Sequence, residues 1–464
     1  MPKETASALT RFRTGIALAL CLLGAAGCDH LLKVQDPDVA TPGQVTGKNH
    51  LNLQLPASLS TFQVAFGGDG TGDEGLINLT GLFTDEFSFT ETFPTRIVID
   101  QRRQTNNNST LLATFFNIEQ ARATASNASD QFNQFAAGTD DHSQVLSLEA
   151  YSELLLAETY CSDIPFTHQN TDGTFTNSAA LTTSQVMNAA LATFDSALAI
   201  PDSTPDQVNA NLARIGKARA LLDLGGAENF AIADTVVTSV PTSFFYKIFH
   251  STNSGRENNG VNELIWQEGR WSVSDSEGIN GLPFVSDNDP RVLTRNIGRG
   301  FASHTVVFAP LADSDRTSPD ILASGIEARL IEAEVALSQG NTATWLSILN
   351  TLRASGIGIP AGTSLAPLSD PGTAAARLHL MFRERAYWMF GSSHRLGDMR
   401  RLTRSTTGDP AGYGLAIDAV YPTGNWIYKG APAATYGTDV NFPIPLEEGN
   451  NPQFNNAQCD LTQP

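Results

Sequence analysis

The sequence is poor in basic residues, in cysteine and in long apolar runs. It has 29 lysines and arginines against 48 aspartates and glutamates, which gives a formal net charge of −19. An acidic surface repels phosphate backbones, and this argues against nucleic acid as a partner. After the N-terminal region, no stretch has the roughly 20 apolar residues that are needed to cross a bilayer.

Motifs of metal-dependent and nucleophilic catalysis are also missing. The eight histidines are scattered, with no His-Glu-x-x-His and no paired His/Cys cluster, so a zinc site is not supported. There is no Gly-x-Ser-x-Gly elbow. A carboxylate pair could still assemble from distant residues, which leaves a helical glycoside hydrolase as an alternative. We predict no catalytic residues and expect a protein that is not an enzyme.

Residues 1–27 have the features of a targeting signal. A basic start precedes the apolar stretch 15–23, and small residues at 24–27 precede Cys28. This pattern resembles a bacterial lipobox and predicts lipidation of Cys28; the alternative is an ordinary signal peptide that is cut near Gly27. Residues 28–46 are polar and contain two prolines, as expected of a tether. Residues 47–464 would form one binding domain.

Two cysteines remain for the body of the protein. Cys21 leaves with the signal and Cys28 takes lipid, so Cys161 and Cys459 are left. An even remainder in an oxidising compartment predicts one disulfide, which would tie down the C-terminal tail. Two unpaired buried thiols are the alternative.

Apolar residues recur at helical spacing in several places. The stripes are Leu148, Tyr151 and Leu155; Leu191, Phe194 and Leu198; Leu212, Ile215, Ala218 and Leu222; Ile326, Leu330, Ala333 and Leu337; and Trp345, Ile348, Leu349 and Leu352. Thr182 to Gln185 offers a capping box, and Gly225-Gly226 and Gly340-Asn341 are suitable helix ends. We predict a mainly α fold with tetratricopeptide-like hairpins at about 145–225 and 320–403; an irregular bundle is the alternative.

Two segments, at about 60–110 and 240–320, are expected to form a loop-rich face. The glycine-rich stretch 67–75 is acidic and lacks the lysine of a phosphate-binding loop. It could hold a structural calcium ion, as could Asp313, Asp315 and Asp320, although solvated loops explain both sets. Otherwise no cofactor is expected. Short runs such as 305–308 are candidate strands.

A dense signature lies near the C-terminus. Met381–Phe390 and His394–Arg401 resemble the diagnostic helix and turn of the SusD/RagB family of outer-membrane nutrient-binding lipoproteins, and Asn441–Pro445, Asp289–Arg291 and Cys28–Leu32 resemble further motifs of that family. The sequence departs from the family pattern at residues 390–393. The charged residues of the signature are interpreted as architecture, because some must lie near the core and need partners. They are Arg383, Glu384, Arg385, His394, Arg395, Asp398 and Arg401; the last three are spaced for ion pairing along a helix.

The resemblance implies a fold of four helical hairpins under a loop-rich face. It also implies a location on the cell surface, anchored by lipid in the outer membrane. SusD-like proteins act as lids over SusC-like TonB-dependent transporters, capturing oligosaccharides or peptides without cleaving them. A periplasmic helical scaffold that binds proteins is a second alternative to this function.

A glycan ligand would stack on exposed aromatic rings while polar side chains bond its hydroxyls. Trp266 and Trp271 are the predicted platform because they lie in the loop-rich segment. Tyr246, Trp426 and Tyr428 are further candidates. Packing in the core is the alternative for each of them.

Overall fold

Helices form most of the regular structure in the part of the chain that is described. The structure is a computed structural model that describes residues 47–170, 174–426, 434–454 and 458–464. The predicted signal peptide, Cys28, the tether and Tyr428 lie outside the described residues. The longer helices are α1 Leu51–Gly67, α2 Leu76–Phe83, α3 Pro94–Asp100, α4 Ser109–Phe135, α5 Asp140–Thr159, α6 Thr183–Leu198, α7 Val208–Leu224, α8 Ala227–Val237, α9 Gly325–Ser338, α10 Thr342–Ala354, α11 Ala374–Trp388 and α12 Arg395–Thr403.

Short helical turns lie between these helices. The α-helical turns are Gly260–Asn262, which runs directly into a π-helix at Glu263–Gln267, and Ile417–Val420. The 3₁₀ turns are Lys48–His50, Pro205–Gln207, Gly255–Glu257 and Leu446–Asn450. None of the helices in the described ranges is both long enough and apolar enough to cross a bilayer.

Helix ends follow the capping signals of the sequence. The Thr182 hydroxyl accepts a hydrogen bond from the amide of Gln185, whose side chain accepts from the amide of Thr182, so the predicted capping box is present. Helix α7 ends before Gly225, whose φ of 71° favours glycine. The predicted turn at Gly340, with φ 77°, separates α9 from α10.

Close packing of α5, α6 and α7 depends on a small residue. A Cβ at Gly216, in the middle of α7, would lie 2.2 Å from the ring of Phe194 and 2.9 Å from that of Tyr151. The two rings make an edge-to-face contact with centroids 5.1 Å apart. Because Gly216 has no side-chain carbon, residues of the predicted stripes can contact one another directly, as the hairpin arrangement requires.

Strands are short, and in the described chain they form two-stranded sheets. They are β1 Phe87–Phe89, β2 Ile164–Pro165, β3 His168–Gln169, β4 Phe175–Thr176, β5 Ala180–Leu181, β6 Phe245–Ile248, β7 Trp271–Val273, β8 Thr294–Arg299, β9 Val306–Pro310, β10 Asp320–Ser324, β11 Asn425–Trp426 and β12 Ala434–Thr435. The pairs are antiparallel: β1 with β7, β2 with β5, β3 with β4, β6 with β10, β8 with β9, and β11 with β12. The mainly α fold with a few short strands is thus confirmed.

The segment 60–110 differs from its prediction as a loop-rich region, because α1 extends into it and α2 and α3 lie within it. Every residue of α2 is buried. The helix has eight residues, fewer than the window of roughly 11 residues over which helical periodicity is read from a sequence. The 27-residue helix α4 was also absent from the sequence-based prediction, although Asn108 caps its first turn through the amides of Thr110 and Leu111.

Candidate ligand-binding site

Residues of the C-terminal signature lie inside the protein and pair with charged residues from distant segments. Glu384 of α11 is fully buried and accepts hydrogen bonds from Arg291 at 2.8 Å and from Arg353 at 2.7 Å. Arg291 also pairs with Asp289 at 2.7 Å. Two motifs that are separate in sequence therefore meet in one ion-pair cluster.

A second cluster joins α11 to α12. Asp398 accepts hydrogen bonds from Arg385 at 2.9 Å and from Arg401 at 2.7 Å. Burial alone would raise the pKa of Asp398, but the two guanidiniums lower it below its ordinary value. Arg401 also pairs with Glu334 of α9. The charge of Asp398 is thus part of the packing between three helices.

The spacing along the helix predicted an ion pair between Arg395 and Asp398, but Arg395 pairs with a different carboxylate. Its guanidinium makes a two-bond contact with Asp85, at 2.7 and 2.8 Å. Asp398 already accepts hydrogen bonds from Arg385 and Arg401. Asp85 offers both of its carboxylate oxygens to Arg395, so this long-range pair satisfies both partners inside the protein. Arg383 is the more exposed member of the signature and pairs with Asp287.

His394 lies in the same buried region. Its Nε2 is 3.0 Å from Glu327 and 2.9 Å from Arg219. Burial, and then the charge of Arg219, lower the pKa of His394. The cavity beside these groups has a volume of about 10 Å³, which holds no more than a water molecule. This network is architecture and offers no space to a ligand.

The closing motif packs against the C-terminal end of α5. The Phe442 amide donates to Thr159 at 2.9 Å, and its carbonyl accepts from the amide of Cys161 at 2.9 Å. Its ring makes edge-to-face contacts with Phe83 and Tyr160. The predicted disulfide between Cys161 and Cys459 is present beside it.

Most members of the predicted aromatic platform are buried, which corrects the prediction that they face a ligand. Trp271 and Trp426 are 1% and 2% exposed and offer no ring face to a ligand. Trp266 is half-buried, and its Nε1 donates to the carbonyl of Pro310 at 2.9 Å. Tyr246 is buried except at the edge of a cavity of about 680 Å³, and its hydroxyl accepts from Gln144 at 2.6 Å. Core packing describes the two buried tryptophans, because rings this large stabilise a core as readily as they bind sugars.

A cleft of about 590 Å³ lies beside the segment that carries Trp271. This volume is in the range of small-molecule sites. Its walls combine the glycine-rich loop 69–74, the start of α3, the start of α4 and the segment 263–270. The lining hydroxyls come from Thr71, Thr95, Ser109 and Thr110. Residues from four separated parts of the chain thus meet in one concave surface.

Glu91 holds the arginines of this cleft in place. It is fully buried and accepts hydrogen bonds from Arg96 at 2.6 Å, from Arg270 at 2.7 Å and from the indole N–H of Trp271 at 3.2 Å. Charge-assisted bonds of this kind fix both partners more firmly than neutral ones. Arg96 also pairs with Glu74 on the facing loop. A buried carboxylate therefore orients both guanidiniums that line the cleft.

Two exposed phenylalanines flank one of these guanidiniums. The Arg270 guanidinium lies 5.1 Å from the ring centroid of Phe93 and 4.1 Å from that of Phe301. The rings are 47% and 54% exposed. The Phe301 amide donates to Gly269 at 2.7 Å, which fixes the β8–β9 connection beside β7. Exposed rings held on a fixed backbone are suited to stacking against a ligand.

The acidic loop is ordered by one aspartate. Asp69 is buried and accepts hydrogen bonds from the amides of Thr71, Gly72 and Asp73. In the described ranges, no group of three or more His, Cys, Asp or Glu side chains is arranged to hold a metal ion. The backbone amides of the loop donate to Oδ1 of Asp69, so this carboxylate oxygen already has partners within the protein.

The other aspartates that were considered for calcium have protein partners. Asp320 contacts His250 Nε2 at 2.8 Å, and Asp315 accepts from the amide and the hydroxyl of Thr317. Asp313 is half-buried near Asp320, and desolvation raises its pKa to about 7. These contacts describe local packing of the 313–320 segment.

Reasoning from the sequence missed Phe93, Arg270 and Phe301. The glycine-rich loop and the segment around Trp271 were both singled out, and they do form two walls of the cleft. No spacing rule joins residues 93, 270 and 301, because only the fold brings them together. An exposed phenylalanine has no sequence mark that separates it from a core phenylalanine.

Comparisons with known proteins place the fold. No family model and no curated protein matches the chain. Solved structures do match it. A SusD superfamily protein from Parabacteroides distasonis is 12% identical with a TM-score of 0.63, covering 88% of this chain and 98% of its own. A SusD-like carbohydrate binding protein from Bacteroides vulgatus is 12% identical with a TM-score of 0.53, covering 76% and 83%. A SusD/RagB family protein from Bacteroides thetaiotaomicron is 14% identical with a TM-score of 0.53, covering 79% and 90%.

These structures share the helical architecture over most of their length, while sharing few residues with this chain. The motifs of the sequence and the likeness in structure agree. The chain has the SusD/RagB-like fold.

Proposed function

We propose that the protein captures oligosaccharides in the cleft and releases them intact. The observation that carries the proposal is a pair of exposed rings beside the Arg270 guanidinium: Phe93 lines the cleft together with four hydroxyl-bearing residues, and Phe301 lies next to it. Sugars present apolar C–H faces, which stack on aromatic rings, and hydroxyls, which exchange hydrogen bonds with side chains of this kind.

The likeness in structure supports the same class of ligand. One of the matching proteins is named as a carbohydrate binding protein. At 12% identity this likeness bears on the fold, so the ligand class for this chain rests on the rings and hydroxyls of its own cleft. A peptide would also find hydrogen-bonding partners there, but its backbone offers the rings less apolar surface than a sugar face.

We further propose a place for the protein in the cell. Lipid on Cys28 would anchor it in the outer membrane with the body facing outwards, and a SusC-like TonB-dependent transporter would receive the captured glycan. The lipobox-like sequence and the family motifs support this placement. Surface labelling of intact cells and co-purification with a large barrel protein would check it, and a periplasmic scaffold would fail both.

Binding of a panel of oligosaccharides and peptides to the purified protein tests the ligand class. We expect oligosaccharides to bind, and Phe93→Ala and Phe301→Ala to weaken that binding by about 5- to 20-fold each, which corresponds to about 1–2 kcal/mol per ring. Phe175→Ala is the matched control, because Phe175 is 65% exposed and does not line the cleft. Peptide-only binding, or equal losses in all three variants, would contradict the proposal. Release of shortened sugars would indicate a hydrolase.

A further inference from the structure

We propose that the cleft selects oligosaccharides that carry no acidic groups and rejects those with carboxylates or sulfates. This inference rests on the proposed function, and it names the substrate class of the same site.

Both arginines of the cleft are already engaged by carboxylates of the protein. Arg96 bonds to Glu91 at 2.6 Å and pairs with Glu74. Arg270 bonds to Glu91 at 2.7 Å and to Glu268 at 2.5 Å. An acidic sugar is normally held by a guanidinium with free N–H groups that face it in a fork. Here Nη1 and Nη2 of Arg96, and Nε and Nη1 of Arg270, already bond to carboxylates of the protein.

Two aromatic rings also lie close to the Arg270 guanidinium. Phe301 lies 4.1 Å from it and Phe93 lies 5.1 Å from it. The guanidinium of Arg270 is thus in contact with aromatic rings as well as with carboxylates of the protein. A sugar that approaches this part of the cleft contacts the aromatic rings and a guanidinium whose charge is already balanced by Glu91 and Glu268.

Acidic side chains outnumber basic ones in the lining. The cleft is lined by the carboxylates of Asp69, Asp73, Glu74, Glu263 and Glu268 and by the guanidiniums of Arg96 and Arg270. The fully buried Glu91 adds one more negative charge behind them. Glu263 contacts the exposed Arg316 at 3.2 Å, an ion pair that water and salt screen. The local charge is negative, and the whole chain at −19 reinforces it.

Uncharged sugars meet no such penalty. Their hydroxyls both donate and accept, so they can bond to carboxylates and to the threonine and serine hydroxyls of the wall. A carboxylate or sulfate only accepts, and it would face oxygen atoms that also only accept. The same lining is thus favourable to a hydroxyl and unfavourable to an anion.

Matched pairs of hexasaccharides test the selection on the full chain purified in detergent. The pairs are oligogalacturonate with its methyl ester, C6-oxidised cellohexaose with cellohexaose, and sulfated with unsulfated cellohexaose. Affinities are measured by calorimetry at about 20 mM salt. In each pair that shows binding, we expect the uncharged member to bind at least ten-fold more tightly, and the gap to narrow at high salt, where charges are screened.

Variants of the rim give an independent readout. Glu268→Gln combined with Glu263→Gln should reduce the affinity ratio of the uncharged to the acidic member at least five-fold, because it frees one N–H of Arg270 and removes two negative charges. Glu228→Gln is the control, since Glu228 is an exposed carboxylate on α8 that does not line the cleft. The ratio should not change in the control.

The outcomes separate the two proposals. Tighter binding of an acidic member, lost in Phe301→Ala, overturns the charge selection and leaves carbohydrate capture in place. An unchanged ratio in the rim variant also overturns the selection. Absence of binding by all glycans, charged and uncharged, overturns both proposals.

Discussion

The indole N–H of Trp271 donates to Glu91 at 3.2 Å, inside the protein. Trp271 is 1% exposed, and Glu91 is fully buried. The sequence analysis assigned Trp271 to ligand stacking. In the structure its side chain instead helps to hold the carboxylate of Glu91, which orients Arg96 and Arg270. The aromatic surface itself belongs to smaller rings on the neighbouring segments.

Glu91→Gln is expected to destabilise the protein and to loosen the cleft. A glutamine cannot accept charge-assisted bonds from two arginines, and breaking a buried ion pair costs about 3 kcal/mol or more. We expect a loss of about that size in the free energy of unfolding, measured in urea, together with weaker glycan binding. Glu268→Gln is the control: this carboxylate is 40% exposed, so its loss should cost about 1 kcal/mol or less. Equal stabilities for the two variants would contradict the role given to Glu91.

Glu86 gives the protein a pH-dependent stability. Burial raises the pKa of Glu86 to about 8, although the amide of Gly391 donates to it at 3.0 Å. The unfolded chain loses this proton near pH 4.3, whereas the folded chain keeps it up to about pH 8. The folded state binds more protons across this window, so this group lowers stability as the pH rises through it.

The variant Glu86→Gln should remove this dependence, because glutamine resembles the protonated acid in shape. We expect the gain in the free energy of unfolding over the unmodified protein to be larger at pH 8 than at pH 5 by about 3–4 kcal/mol. Urea unfolding at both pH values measures it. Exposed Glu228→Gln should have no effect at either pH. If the free energy of unfolding falls between pH 5 and pH 8 by the same amount in the variant and in the parent protein, Glu86 is not the source of the pH dependence.

Local signals in the sequence predicted the helices that have a polar and an apolar face. The capping box at Thr182 and the turn at Gly340 were both located correctly, because a cap is a bond between close neighbours in the chain. The candidate strand at 305–308 corresponds to β9, Val306–Pro310. Helix α2 was missed, because its eight residues are too few to establish a helical period and it follows directly on a glycine-rich loop.

The candidate site could be predicted only in part. The segment around Trp271 was chosen for its aromatic residues, whereas the loop 67–75 was considered for calcium and interpreted as a solvated loop; both contribute to the cleft. Which aromatic ring is exposed depends on pairings such as Phe89 with Trp271 between β1 and β7. These pairings join residues that are about 180 positions apart, beyond the reach of any local pattern.

Glu384→Gln tests the architectural role of the C-terminal signature. Glu384 is fully buried and bonds to both Arg291 and Arg353. Loss of its charge leaves two guanidiniums with one fewer partner, so we expect a loss of about 3–5 kcal/mol in stability. Arg383→Gln next to it removes a more exposed ion pair and should cost about 1 kcal/mol or less. Thermal and urea unfolding compare them, and a larger loss for Arg383→Gln would reverse the assignment.

The Cys161–Cys459 disulfide ties the C-terminal tail to the end of α5, and its removal should loosen that tail. The bond joins residues that are 298 positions apart, so breaking it releases a very long loop in the unfolded chain. Removal of a native disulfide typically costs about 2–5 kcal/mol. We expect Cys161→Ser with Cys459→Ser to lose stability in this range.

The same double variant should be cut more readily near its C-terminus. Beyond the disulfide, the tail keeps hydrogen bonds such as that from the Val440 amide to Leu461 at 2.7 Å and that from Asn441 to Gln463 at 2.6 Å. A few such bonds, each with a net contribution of about 1 kcal/mol, do not hold a chain end without a covalent link. Limited proteolysis followed by mass spectrometry should therefore show early loss of the tail in the variant. Peptide mapping of the unreduced protein should show the two cysteines linked; free thiols at both positions, or identical proteolysis of the two proteins, would contradict this account.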